Sequence, residues 1–290
     1  MNLSLCTISL RHSLVSFGQV VEWAAQRGFS GIELWGAHAV NLRDQAGHEF
    51  ERLRSHGLRV PMLSDYLPVQ GEHEAMIGKT LDLCRIANGW GAGKLRTFAG
   101  NKGSHEVSGE ERREWTRRMH ELCGIVEDHG LTLIVETHPQ TLADTRESTL
   151  RLIEEIDHPA LRLNFDVIHV WESGADPFKF ISEVEPLVAH MHLKNVRSRS
   201  FLPEFQPANV YAPAGSRSGM VNLFDGAFDY RKFLSFVMAG TSLWPTLDAS
   251  LEWFGPDVLA TLEQDAEQLF LLEAETLGLA ALRESGAATL

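Results

Sequence analysis

Eight short β-rich runs, each separated from the next by an amphipathic helical stretch, restrict the folds open to this chain more than any other feature. The predicted strands cover residues 3–10, 31–35, 59–64, 94–99, 132–137, 161–167, 188–195 and 247–254. Helical patterns between them include 17–27, 74–90, 109–129, 148–156 and 177–184. Breaks at Arg27-Gly28, His129-Gly130 and His158-Pro159 end helices just before the chain re-enters a strand. Strands alternating with helical crossovers predict an α/β fold with a parallel sheet, and eight is the number that closes a (β/α)8 TIM barrel. An open doubly wound sheet would be expected to carry a glycine-rich turn after its first strand, and Ser9-Leu10-Arg11-His12 is nothing like one.

A length of 290 residues suits one barrel domain spanning 1–290. Two segments depart from the rhythm. Residues 197–226 form a long stretch rich in Pro, Gly and Ser, with no clear helix, expected to cover the mouth of the barrel; residues 284–290 read as a flexible tail. The net charge of −13 argues against a nucleic-acid partner, and no apolar run approaches a membrane span. The opening MNLSLCTISL reads as a strand rather than a signal peptide. Three widely spaced cysteines, Cys6, Cys84 and Cys123, suggest reduced thiols in a cytoplasmic protein.

The chemistry lies where charged residues interrupt strands. Glu136 and His138 share one parity at the end of strand five, against Leu133 and Val135. Asn164 and Asp166 share a parity on strand six, as do His190, His192 and Lys194 on strand seven. Glu252 is opposite in parity to Leu251 and Trp253 on strand eight, while Glu33 and Arg96 sit near the ends of strands two and four. Active sites of TIM barrels form at these C-terminal strand ends. Glu136, Asp166, His192 and Glu252 therefore converge on one mouth, where three uncompensated carboxylates would repel one another. A divalent cation relieves that repulsion. Three oxygen donors and one imidazole suit Mn²⁺ or Mg²⁺, with Co²⁺ or Zn²⁺ as substitutes.

Other polar residues point the same way. His138 is a candidate base; His169 is a candidate second ligand, substrate contact or proton donor. Arg96 offers a two-point fork for a carboxylate, and Lys194 a point charge for an anion. Tyr66 and Trp171 are weaker candidates, and Trp35 and Trp253 read as packing or pocket walls.

GFSGIEL (28–34), ETH (136–138), FDVIH (165–169), HMHLKN (190–195) and SLEWFG (250–255) together resemble the xylose isomerase-like TIM-barrel superfamily of sugar epimerases, sugar isomerases and endonuclease IV. One branch is closer. LCTISLRH (5–12), GIELWGAHA (31–39), SDYL (64–67), KLRTFAG (94–100), ETHPQTLADT (136–145), HVWESGADP (169–177), NVYAPAG (209–215) and SLEWFG are similar to bacterial 3-dehydroshikimate dehydratases that make 3,4-dihydroxybenzoate for petrobactin-type siderophores. The likeness runs from about residue 3 to residue 256, and the loop start RSRSFLPEFQ departs from it.

The resemblance implies a metal-dependent hydro-lyase that converts 3-dehydroshikimate to 3,4-dihydroxybenzoate (protocatechuate) and water through a metal-stabilised enolate. It implies that Glu136, Asp166, His192 and Glu252 hold the metal, and that Arg96, His138, His169, Lys194 and Tyr66 line the substrate pocket. On that reading His138 is the base, with Glu136 and Glu252 as rivals, and His169 assists loss of the hydroxyl. Arg96 or Lys194 anchors the substrate carboxylate. The competing expectation is a metal-dependent ketose 3-epimerase or hydroxypyruvate-type sugar isomerase, which uses the same enolate chemistry on an acyclic sugar. The expected partner is a small anionic substrate, with neither nucleic acid nor membrane, and homo-oligomerisation is left open.

Overall fold

The computed structural model describes residues 1–287. Each predicted run yields a strand: β1 (Asn2–Cys6), β2 (Gly31–Trp35), β3 (Leu63–Ser64), β4 (Lys94–Thr97), β5 (Thr132–Glu136), β6 (Leu161–Asp166), β7 (Val188–Leu193) and β8 (Asp248–Leu251). They close into a barrel in the order β1-β8-β7-β6-β5-β4-β3-β2, with every pairing parallel. A principal helix follows each strand: α1 (Phe17–Gln26), α2 (Ala46–Ser55), α3 (His73–Gly89), α4 (Gly109–Asp128), α5 (Arg146–Ile156), α6 (Pro177–Val184), α7 (Tyr230–Gly240) and α8 (Val258–Ala287).

Local chemistry sets the element ends. Ser16 with Gln19 and Ser108 with Glu111 form reciprocal capping boxes that satisfy the first amides of α1 and α4. Gly28 and Gly130 leave those helices at φ +77° and +73°, a conformation in which a Cβ is strained. Strand β1 stops at Cys6 because Thr7–Leu10 turns into a 3-10 helix. The third predicted strand shortens to two residues: Pro61 has no amide to donate to the ladder, and upstream only Arg59 bridges, to Gly31.

Alternation along the strands sorts the side chains. Leu3, Leu5, Ile32, Leu34, Leu133, Val135, Leu163, Phe165, Met191 and Leu251 are fully buried in the hydrophobic core, where strands meet helices. The opposite parity fills the barrel interior with polar groups. At its lower end Asp248 accepts from Lys94 Nζ at 2.5 Å and from the Arg59 guanidinium. Strand register then levels the upper residues: His192 pairs with Ser250 on β8 and with Asp166 on β6, and Glu136 pairs with Asn164.

The segment 197–226, expected to lack helix, contains two helical pieces. Arg199–Phe205 is a 3-10 helix and Pro207–Tyr211 a short α-helix begun by its proline. Asn195–Val196 and Met220–Val221 pair antiparallel at its base. Inside it, buried Glu204 accepts from Ser216, Ser218 and the Gly219 amide, and Arg217 donates to the Asn209, Val210, Ala212 and Phe254 carbonyls. These long-range bonds hold a proline- and glycine-rich segment that local pattern alone does not specify. The backbone is helical as far as Ala287, and residues 288–290 of the expected tail lie outside the described residues.

Candidate active site

His192 stands at the centre of the upper barrel. Its Nδ1 is buried without a hydrogen-bond partner and faces Glu136 Oε2 at 3.5 Å, Glu252 Oε1 at 3.6 Å and Asp166 Oδ2 at 3.9 Å. Its Nε2 donates to Glu33, whose two oxygens lie 3.1 and 3.0 Å away. Glu33 is itself fixed by the Ser64 hydroxyl and by His190 Nε2 at 3.3 Å.

An orphaned imidazole nitrogen aimed at three carboxylate oxygens, all in residues at most 7% exposed, is a poor resting place for protein groups alone. The donor chemistry fits a divalent cation. The four carboxylates of Glu33, Glu136, Asp166 and Glu252 face Arg96, Lys194 and His192. Burial opposes charge on the His192 ring, but Glu252, Glu33 and Glu136 outweigh it and hold the ring well above its usual range. With His192 protonated the cluster still carries one uncompensated negative charge; exchanging that proton for a divalent cation brings the count to zero.

The two predicted anion-binding groups are close by and already engaged. Lys194 Nζ donates to Asp166 Oδ2 and, at 2.7 Å, to Glu252 Oε2. Arg96 Nε lies 3.0 Å from Glu136 Oε2, while its Nη1 is buried with no partner. Burial penalises both cations, yet their carboxylate neighbours outweigh it and keep both firmly charged.

His138 lies beyond Glu136, its ring stacked on Phe98 at 4.2 Å and 4.4 Å from the ring of His169. Its Nδ1 donates to the Pro139 carbonyl at 2.7 Å, which leaves Nε2 with the free lone pair. Burial first, and the charge of His169 second, push this imidazole down to about 3, so it is neutral near pH 7. His169 donates from Nδ1 to Glu172 Oε2 at 2.8 Å, and its Nε2 faces Asp166 Oδ2 at 3.8 Å.

Tyr66, Arg96, Phe98, His138, His169, Lys194, Phe205, Tyr211 and Phe254 enclose a chamber above these groups with a free volume of only ≈ 30 Å³. Ligand pockets ordinarily run to roughly 300–1,000 Å³, so this chamber is narrow. Tyr66 and Tyr211 join hydroxyl to hydroxyl across it, and Tyr211 stacks on Trp35 at 5.8 Å. Outside that pair an open pocket of ≈ 370 Å³ shares Tyr66, Phe98, His138, Pro207 and Tyr211 with the chamber.

Residues 21–274 match the family described as xylose isomerase-like TIM barrel. The chain belongs to the xylose isomerase-like TIM-barrel family. Within this family it is 43% identical to a 3-dehydroshikimate dehydratase of Bacillus anthracis, over 93% of this chain and 96% of that one. The crystal structure of the probable 3-DHS dehydratase AsbF, involved in petrobactin synthesis in Bacillus anthracis, superposes with a TM-score of 0.88 at 42% identity, covering 93% of this chain and 99% of that one. The IOLI protein, solved with a bound zinc atom, shares the fold at 17% identity and a TM-score of 0.73, over 95% of this chain and 98% of that chain.

This xylose isomerase-like barrel thus gathers ligand atoms of Glu136, Asp166 and His192 within 4.8 Å of one another, with Glu252 3.6 Å from His192 Nδ1, and sets Arg96, His138, His169, Lys194 and Tyr66 around them. Trp171 is outside the chamber lining and carries the Arg199 guanidinium over its ring at 3.8 Å. Trp253 is buried, its Nε1 donating to the Pro256 carbonyl. Sequence reasoning gave no role to Tyr211, Phe98, Glu172 or Glu33. Glu33 had a signal, a lone acid of inward parity on β2. Tyr211 lay within the NVYAPAG block, but it comes from the loop, where no strand parity aims a side chain.

Proposed function

We propose that the protein is a metal-dependent 3-dehydroshikimate dehydratase, forming 3,4-dihydroxybenzoate and water. The observation that carries the reading is the pair of orphaned atoms, His192 Nδ1 and Arg96 Nη1, in the site that also holds a base-competent His138. One calls for a cation and the other for a substrate oxygen.

Glu136, Asp166, His192 and Glu252 would hold the ion, with Mn²⁺ or Mg²⁺ suited to so oxygen-rich a set and Co²⁺ or Zn²⁺ as substitutes. When bound, the ion supplies Lewis acidity that polarises the substrate ketone and favours loss of the neighbouring proton. His138 Nε2 takes that proton from the carbon between the ketone and its adjacent hydroxyl; the Pro139 carbonyl holds the required tautomer. His169 gives a proton to the departing β-hydroxyl, which leaves as water. Arg96 Nη1 and Lys194 hold the substrate carboxylate, and Tyr66 contributes a hydroxyl at the rim. Phe98, Phe205 and Phe254 line the chamber with aromatic rings that exclude water. Aromatisation of the product drives the sequence forward.

The test is incubation of the metal-loaded protein with 3-dehydroshikimate while catechol absorbance is followed. Appearance of 3,4-dihydroxybenzoate supports the assignment. No product, together with 3-epimerisation or isomerisation of a ketose, would transfer the site to the sugar-enolate chemistry named above.

A further inference from the structure

We infer that Glu172 is a positioning residue for the elimination, acting through His169; the inference rests on the dehydratase reading and extends it to a residue outside the chamber lining. Glu172 belongs to the HVWESGADP block, one of the motifs that tie this chain to the dehydratase branch, yet it touches neither the ion set nor the chamber.

The local geometry is specific. The short helix Val167–Glu172 begins directly at Asp166, whose side chain accepts from the His169 amide at 3.3 Å. Three residues further on, one helical turn, Glu172 reaches back to His169 Nδ1 at 2.8 Å. The His169 side chain is 2% exposed, and that of Glu172 is 25% exposed. His138 packs against the His169 ring from one side, and Phe205 meets it edge-on at 6.0 Å. Those two contacts fix the plane of the ring but not which nitrogen bears which proton. Glu172 does: a carboxylate only accepts, so Nδ1 must carry hydrogen and Nε2 is the nitrogen left to exchange a proton with the chamber.

In the elimination the carbon–hydrogen pair becomes the new double bond and its proton goes to His138. The carbon–oxygen bond breaks, and the leaving hydroxyl takes the Nε2 proton of His169 to become water. His169 is then neutral, with its remaining proton on Nδ1 and shared with Glu172. Without Glu172 the neutral ring is free to keep its proton on either nitrogen or to rotate, so fewer chains present the productive form.

The experiment compares metal-loaded wild type, Glu172→Ala, Glu172→Gln, His169→Ala and the His169→Ala/Glu172→Ala double variant on 3-dehydroshikimate, with melting temperature as a folding control. The account expects Glu172→Ala to lower kcat about tenfold or more with KM little changed. Glu172→Gln, whose amide oxygen still accepts from Nδ1, should recover most of the loss. The double variant should be no slower than His169→Ala alone, because Glu172 acts only through that ring. Nitrogen-15 NMR of the histidine rings should show the neutral His169 ring with its proton on Nδ1 in wild type and a shift of tautomer in Glu172→Ala. Full activity in Glu172→Ala with a crippled His169→Ala overturns the inference and leaves the dehydratase reading intact. So does a further loss in the double variant. A wild type without turnover overturns the reading itself.

Discussion

His192 and Glu33 meet across the barrel interior at 3.0 Å, nitrogen to carboxylate, on the side of the ring opposite Glu136, Asp166 and Glu252. The contact fixes Nε2 as the nitrogen that keeps its proton when an ion binds, and it turns Nδ1 toward the three carboxylates. A carboxylate behind a ligand histidine also makes the ring a stronger donor. Glu33→Gln should weaken binding of Mn²⁺ about 10–100-fold, read by competition with a chromophoric chelator. Unchanged affinity would remove Glu33 from the account.

Metal uptake should release a proton. His192 is held well above its usual range, against burial, by Glu252, Glu33 and Glu136, so the metal-free ring carries two protons near pH 7. Ligation at Nδ1 requires one to leave. Calorimetric titration with Mn²⁺ at pH 7 in two buffers of different ionisation enthalpy should give about one proton released per ion. Identical heats in the two buffers would contradict the assignment.

The Tyr66–Tyr211 hydroxyl contact walls the chamber, and Tyr211 is held by its stack on Trp35. Replacing Tyr211 by Ala widens the join between the chamber and the outer pocket and removes one aromatic ring. KM for 3-dehydroshikimate should rise about tenfold or more, with metal affinity unaltered. Equal KM in the variant would place substrate away from this wall.

Asp248 ties the lower barrel to Lys94 and Arg59. Burial works to raise its carboxyl, but Arg59 and Lys94 prevail and bring it down to about 2. A carboxyl depressed in the folded state stabilises the fold above its unfolded value near 4 and loses that contribution as pH falls toward 2. Asp248→Asn should therefore cost about 2–3 kcal/mol at pH 7, and the two proteins should converge on acidification. Denaturant titrations at pH 7 and pH 3 check this; an equal gap at both would contradict it.

Much of the barrel is legible from pattern because its causes are local. Strand parity places Glu136, Asp166, His192 and Glu252 on the inner face, since alternation follows from backbone geometry alone. Helix caps such as Ser16 and Ser108 mark element starts within a few residues. The long segment 197–226 is a different case. Its folded path depends on Glu204 and Arg217 finding partners in other turns, and no periodicity announces such bonds. Tyr211 was passed over for that reason. Lys194 illustrates a further limit: parity aims it at the mouth, but only coordinates show its ammonium already bonded to Asp166 and Glu252.

The central claim is that His138 deprotonates 3-dehydroshikimate beside an ion held by Glu136, Asp166, His192 and Glu252. The most direct measurement is the rate of 3,4-dihydroxybenzoate formation by wild type and His138→Ala, each with its bound metal quantified. The account predicts one ion per chain in both proteins and a fall in kcat of about 10²-fold or more in the variant. Wild-type rates from a metal-loaded His138→Ala would contradict it.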